Sequence, residues 1–498
     1  MVYFVNEYLF DRNSSVEHTE FKRLRLFKNH GVNAKFALTK EMPNLSLTLP
    51  KIGVAREQVV TLHDFFGNLE SATERQLHVE DLHLPAKYMV SGGNNYRKVT
   101  FGDQLICEVY FIGGTFGQVE HVDWYDVSGQ LTMVQRYDSR GFKWREEFYG
   151  TKQKEKYYER YYRPDGTVYL ESYYVESTTG TPINSRLVLR DYHGQDYYFD
   201  DYDQLTAFFL DELNRQAGGK EAFIADRPGS VVHPLFLMKS KAKLFLWMAT
   251  NHVASGQNPI SAPFLGIYSE ALAKQNLSRW TGIIVPTATQ TATLRERLGK
   301  KVNLYTISPA VEAQATETEI HREPGLIVSV GRTDDDKGTP TLIQAFQKVH
   351  QALPLVRLRI YGYGGDHAAY EKQINDLGLT GIVSLEDYTL DVNQVYDRAE
   401  LMLDASENDN YPLAMAEALA HGVPVLSYDY PYGPHELIQN RVNGRLVANG
   451  DPNAFADAII ALMEDDDQRA KLSVGARATA GIDGEGAWKE WQTALGLK

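Results

Sequence analysis

Hydrophobic residues fall in short continuous runs near both ends of the chain, whereas its middle alternates apolar and polar positions. In the last third the runs cover residues 325–330, 356–361, 382–385, 400–405 and 423–428. Short apolar runs bounded by polar turns predict strands buried on both faces. Amphipathic stretches between them, at 339–352, 367–377, 392–397 and 412–420, predict helices. Such alternation gives a parallel sheet with right-handed crossovers. The first part carries the same texture in the runs 2–5 and 32–38. Between those two runs, Ser14 or Ser15 is placed to cap a helix through Phe21, Leu24 and Phe27. It returns at 222–226, 243–252, 282–286 and 301–307. The fold class read from this pattern is α/β, with two Rossmann-like doubly wound domains.

Residues 98–200 read differently. Tyr- and Val-rich alternation is broken by Gly-containing turns at 127–129, 139–141, 164–166 and 178–180, the signature of antiparallel hairpins. This predicts a β-rich insertion in the first domain. The expected division is 1–55 and 216–312 for the first Rossmann-like domain and 56–215 for the insertion. The second domain takes 313–480, after a polar linker at 312–323, and a closing helix at 481–498 packs back through Trp488 and Trp491. Tyrosines of the insertion and its basic residues Lys152, Lys154, Lys156 and Arg160 suit an acceptor site, a self-association face or a solvated surface equally well.

With 498 residues the chain exceeds one core. Its 51 basic against 65 acidic residues leave a net charge of −14, which argues against nucleic acid or an anionic membrane as a general partner. A single cysteine, Cys107, excludes an internal disulfide framework and fits a reducing compartment. No signal-peptide pattern opens the sequence, and no apolar run reaches the roughly 18 residues of a membrane span. The expectation is a cytoplasmic protein, at most peripheral on the inner face of a membrane.

Candidate chemistry gathers at strand ends of the second domain. In the stretch 406–422, SENDNYPLAMAEALAHG, Asp409 lies in a strand-end loop and Glu417 lies on the following helix. Loops at the carboxyl ends of parallel strands are where such sheets bind ligands. The two acids suit the hydroxyls of a sugar or ribose, beside a helix N-terminus that favours a diphosphate. A pair that only complements the helix dipole fits the same spacing. Gly331 opens the loop GRTDDDKG, 331–338, in which Arg332 and Lys337 can meet one anion. Three intervening aspartates also fit a solvated loop with internal ion pairs. The turn YGYGG, 361–365, is Gly-rich but lacks the dinucleotide spacing. His252 sits where a strand should empty into a cleft, a position more often structural than catalytic.

These pieces together with YGPHELI at 432–438 resemble a GT-B retaining glycosyltransferase of family 4. The segment NSSVEH at 13–18, the hairpin insertion and DRPG at 226–229 narrow the resemblance to two enzyme types of Gram-positive bacteria. One glycosylates poly(glycerol-phosphate) or poly(ribitol-phosphate) wall teichoic acid. The other starts O-glycosylation of serine-rich adhesins in the accessory secretion system. The resemblance implies a GT-B fold, two Rossmann-like domains facing a cleft. It also implies transfer of glucose or N-acetylglucosamine from a UDP-sugar to a hydroxyl of a polyol-phosphate polymer or of Ser/Thr in a protein. It implies no metal and no cofactor beyond that co-substrate, and an oligomer formed through the insertion. By the same resemblance Arg332 and Lys337 bind the diphosphate and Glu417 the ribose. Asp409 contacts the donor sugar, Leu385 to Tyr388 flank the uracil, and Asn410, Tyr411, Pro412 and Leu413 offer backbone N–H groups. Ser14, Ser15 and Val16 lie near the phosphates, and His252 near the reacting centre. Two positions depart from the family pattern, in that Asp409 replaces its first Glu and Ala249 stands for a second His; Ser14-Ser15 replaces the usual Gly-Gly, as in part of the family. The alternative is a catalytically silent sister subunit that holds the acceptor.

Overall fold

The computed structural model describes residues 1–150, 155–177, 181–311, 322–479 and 484–497. Lys152, Lys154, the turn at 178–180, most of the 312–323 linker and the boundary at 480/481 lie outside these residues.

Seven parallel strands form the first sheet, in the spatial order Leu304–Thr306, Gly282–Val285, Lys243–Trp247, Ala222–Ala225, Val2–Asn6, Ala34–Leu38 and Val59–Thr61. The second sheet runs Val383–Glu386, Arg357–Tyr363, Leu326–Arg332, Leu401–Asp404, Val425–Asp429 and Gly444–Ala448, again parallel throughout. Strand order reverses once in each sheet, between Val2–Asn6 and Ala222–Ala225 and between Leu326–Arg332 and Leu401–Asp404. A crevice opens at such a switch point, because the two crossovers leave it on opposite faces. The central strands have almost no exposed side chain, as with Phe4, Val5, Ile283, Ile327 and Leu403, which accounts for their unbroken apolar runs.

Between the two halves of the first sheet, ten antiparallel strands from Met89–Ser91 to Gln195–Phe199 form one meander, each paired with its chain neighbour. Asp126 accepts the backbone N–H groups of Ser128 and Gln130, and Asp165 that of Thr167, which closes the hairpins at Gly129 and Gly166. Two strands of the parallel sheets went unread in the sequence. Val59–Thr61 has three residues, and Gly444–Ala448 is a half-exposed edge strand, so neither carries a two-sided apolar run. Val59–Thr61 and the helix Leu62–Gly67 extend the first Rossmann-like unit past residue 55. The final helix, Gly484–Leu495, places Trp488 and Trp491 in the core under the first sheet, beside Phe27 and Trp247.

Candidate active site between the two parallel sheets

A cleft with a cavity volume of about 150 Å³ lies between the switch points of the two sheets. The first domain lines it with Asn13, Ser14, Ser15 and His18, from the loop after Val2–Asn6 and the helix Ser15–Asn29. Ser14 caps that helix in a reciprocal arrangement. Its backbone N–H donates to Glu17 at 2.9 Å, and its Oγ accepts from Val16 N at 3.3 Å. The wall opposite comes from four strand ends of the second sheet and includes Gly331, Arg332, Lys337, Tyr361, Tyr388, Asp404, Asp409 and Glu417.

Arg332 ends its strand, and its guanidinium pairs with Asp334 and, at 3.4 Å, with Asp336. The third aspartate, Asp335, accepts from Tyr370 Oη at 2.7 Å. Asp334 also accepts the N–H of Gly365 at 2.6 Å, which docks the Gly-rich turn against this loop. The internal ion pairs and the cleft-facing placement therefore coexist. Lys337 extends across the loop to Asp409 Oδ2 at 2.8 Å and to the carbonyl of Asn408 at 3.4 Å. Burial works against both charges. Their mutual attraction nevertheless raises the Lys337 pKa above its ordinary value, and that attraction with two backbone N–H groups lowers the pKa of Asp409. Both stay ionised across the neutral range. Glu417 points one carboxylate oxygen at Lys22 Nζ of the first domain, 2.7 Å away, and the other toward Tyr396 Oη at 3.4 Å.

Of the residues singled out in the sequence, Ser15, Gly331, Arg332, Lys337, Tyr388, Asp409, Pro412, Leu413 and Glu417 line this cleft. Five others do not. Val16 is half-buried on the first helical turn, and Leu385 packs against the core on the helix layer of its sheet. The N–H groups of Asn410 and Tyr411 are not offered to a ligand, because both donate to the carboxylate of Asp409, at 2.7 and 3.3 Å. Asn410 instead joins the domains, its amide donating to the carbonyl of Met248 at 2.5 Å, and Tyr411 is a core residue. Pro412 precedes the helix Leu413–Ala420 rather than opening it. His252 is fully buried, five residues past the end of its strand. Its Nε2 donates to the carbonyl of Pro259 at 2.9 Å, and its Nδ1 lies 3.4 Å from the Gln290 amide. Burial lowers its pKa, so the ring is neutral and already satisfied.

Two sequence comparisons bear on this cleft. Residues 311–479 match the family described as glycosyl transferases group 1, and residues 88–200 match the GtfB middle domain. Residues 311–479, the second doubly wound domain, belong to the group 1 glycosyltransferases. It is 24% identical over 487 residues to the UDP-N-acetylglucosamine--peptide N-acetylglucosaminyltransferase GtfA subunit of Streptococcus agalactiae, covering 94% of this chain and 92% of that one. It is 23% identical over 361 residues to the poly(glycerol-phosphate) alpha-glucosyltransferase of Bacillus subtilis (strain 168), or 71% of this chain and 52% of the other. The crystal structure of the pneumococcal O-GlcNAc transferase GtfA in complex with UDP and GlcNAc aligns with a TM-score of 0.85. That alignment covers 99% of this chain and 98% of the other at 19% identity, and establishes the GT-B fold.

The cleft is also closed by contacts that sequence reading missed. Glu436 of the 432–438 loop accepts the N–H groups of Ala288 and Thr289 at 2.7 and 2.9 Å, capping the helix Ala288–Leu298 of the opposite domain. His18 meets Tyr388 Oη at 3.0 Å. One signal was present: His18 and Lys22 stand four apart on a helix already marked by its serine cap, and so share one face. Among the described residues no helix is long and apolar enough to cross a membrane.

Proposed function

We propose that this glycosyltransferase moves glucose or N-acetylglucosamine from a UDP-sugar, with retention, to the hydroxyl of Ser/Thr in a surface protein or of a wall teichoic acid. The observation that carries this reading is the convergence of Arg332, Lys337, Asp409 and Glu417 on one cleft between two doubly wound domains. In the reaction the acceptor oxygen bonds the anomeric carbon on the face from which UDP leaves. The bond from that carbon to the β-phosphate oxygen breaks, and the acceptor proton passes to the departing phosphate. Charge builds on the diphosphate, so fixed cations beside it lower the barrier. Lys337, kept charged by Asp409, and Arg332, kept at the strand end by two aspartates, are those cations. They do this with no metal ion. Glu417 takes the ribose hydroxyls, Tyr388 flanks the uracil, and Asp409 faces the donor sugar. The likeness over nearly the full length of the streptococcal relative favours a protein hydroxyl as acceptor.

UDP release from UDP-glucose and from UDP-N-acetylglucosamine, each with a Ser/Thr-rich peptide or a polyol-phosphate polymer, is the direct test. Turnover with one donor, and an α-linked product by NMR, is the expected result. Absence of UDP release with every pair would favour the alternative of a silent subunit that holds the acceptor.

A further inference from the structure

The helix Ser15–Asn29 belongs to the first domain, yet two of its side chains end on residues of the second. His18 and Lys22, at i and i+4, project from one helical face. His18 Nε2 lies 3.0 Å from Tyr388 Oη, and Lys22 Nζ lies 2.7 Å from Glu417 Oε1. Tyr388 and Glu417 are the residues assigned above to the base and to the ribose. One face of one helix therefore braces both walls of the nucleoside pocket from across the cleft. The Lys22–Glu417 pair is not an ordinary surface contact, since the side chains are only 24% and 14% exposed. Among the described residues Glu417 has no other close partner: Tyr396 Oη approaches its second oxygen at a long 3.4 Å. Without Lys22 the carboxylate keeps only the long contact to Tyr396 Oη.

We propose that Lys22 is a positioning residue for ribose recognition, holding one oxygen of Glu417 and so fixing the carboxylate plane that meets the ribose hydroxyls. The proposal rests on the assignment of Glu417 to the ribose. Because the brace comes from the opposite domain, nucleoside recognition requires the two domains to be together. A carboxylate fixed in advance loses less conformational freedom when it binds, which is where the affinity gain arises.

The test uses the full chain and two probes, UDP and 2′,3′-dideoxy-UDP, titrated calorimetrically against wild type, Lys22→Met, Lys22→Arg and Glu417→Gln. Wild type should prefer UDP by about tenfold, the worth of a charge-assisted hydrogen bond. Lys22→Met should lower that preference to about twofold while leaving the affinity for 2′,3′-dideoxy-UDP unchanged. Lys22→Arg, which restores the charge, should keep most of the preference. A Lys22→Met chain that retains the full preference, or that weakens both nucleotides alike, overturns the proposal. Undiminished preference in Glu417→Gln would instead remove the ribose assignment of Glu417, whatever Lys22 does.

Discussion

Lys337 and Asp409 illustrate how this chain keeps a cation ready in a partly desolvated site. The ammonium is half-buried, which by itself favours the neutral amine, and the carboxylate 2.8 Å away reverses that preference. A diphosphate entering the cleft therefore meets a charge that needs no proton uptake. On the proposed function, Lys337→Ala should lower kcat/KM by at least about a hundredfold, roughly 3 kcal/mol of transition-state stabilisation, with the larger share in kcat. Glu417→Ala should lower it by a similar factor but chiefly through KM for the donor, because ribose contacts form equally in ground and transition states. Steady-state kinetics with the donor varied separates the two outcomes. These residues were legible in the sequence because acid and base side chains directly after buried strands have few structural uses. His252 was not. Whether a strand-end histidine opens to a cleft or turns inward depends on the loop beyond it, and here the carbonyl of Pro259 takes the ring N–H.

The loop elements of the cleft depend on close backbone approaches. Gly338 adopts φ +75°, and a Cβ there would lie 2.1 Å from the carbonyl oxygen of Ala405 on the neighbouring strand end. Gly338→Ala should destabilise the second domain by roughly 2–4 kcal/mol and displace Lys337, seen as a lower urea midpoint with a weaker response to UDP. The closing helix Gly484–Leu495 is the counterpart in the first domain. Trp491 is almost fully buried, stacks near Trp247 and lies 5.5 Å from the guanidinium carbon of Arg23. Arg23 itself is buried and pairs with Asp226 at 2.6 Å, beneath the loop that carries Ser14. Trp491→Ala should cost about 3–5 kcal/mol by opening a cavity and uncovering that ion pair, measurable by chemical denaturation of the full chain. Most strands of the parallel sheets were readable from hydrophobic runs, whereas Val59–Thr61 was too short and Gly444–Ala448 too exposed to carry one.

At the scale of the whole molecule, the insertion is joined to the first domain through a buried histidine. His63 lies between Tyr169 and Tyr202, each hydroxyl 2.9 Å from a ring nitrogen, and stacks on Tyr161 of the hairpin sheet. Burial outweighs the nearby Glu41 and lowers its pKa to about 4. The unfolded chain takes up a proton near pH 6.5 that the folded chain refuses. Stability is therefore full above that pH and falls progressively as pH drops toward 4. Between pH 7 and pH 5 this one residue should account for about 2 kcal/mol, and His63→Gln should flatten the urea-denaturation slope against pH by that amount. The sequence by itself determined two doubly wound units, the antiparallel insertion between them and the charged strand-end loops, because periodicity and residue type are local properties of the chain. Only the tertiary structure decided which loops face one another, that Lys22 reaches Glu417 and Glu436 caps a helix of the other domain, and that His252 and Asn410 serve packing. Those outcomes depend on how two separate cores are set against each other, and hydrophobic patterning within either core carries no record of that placement.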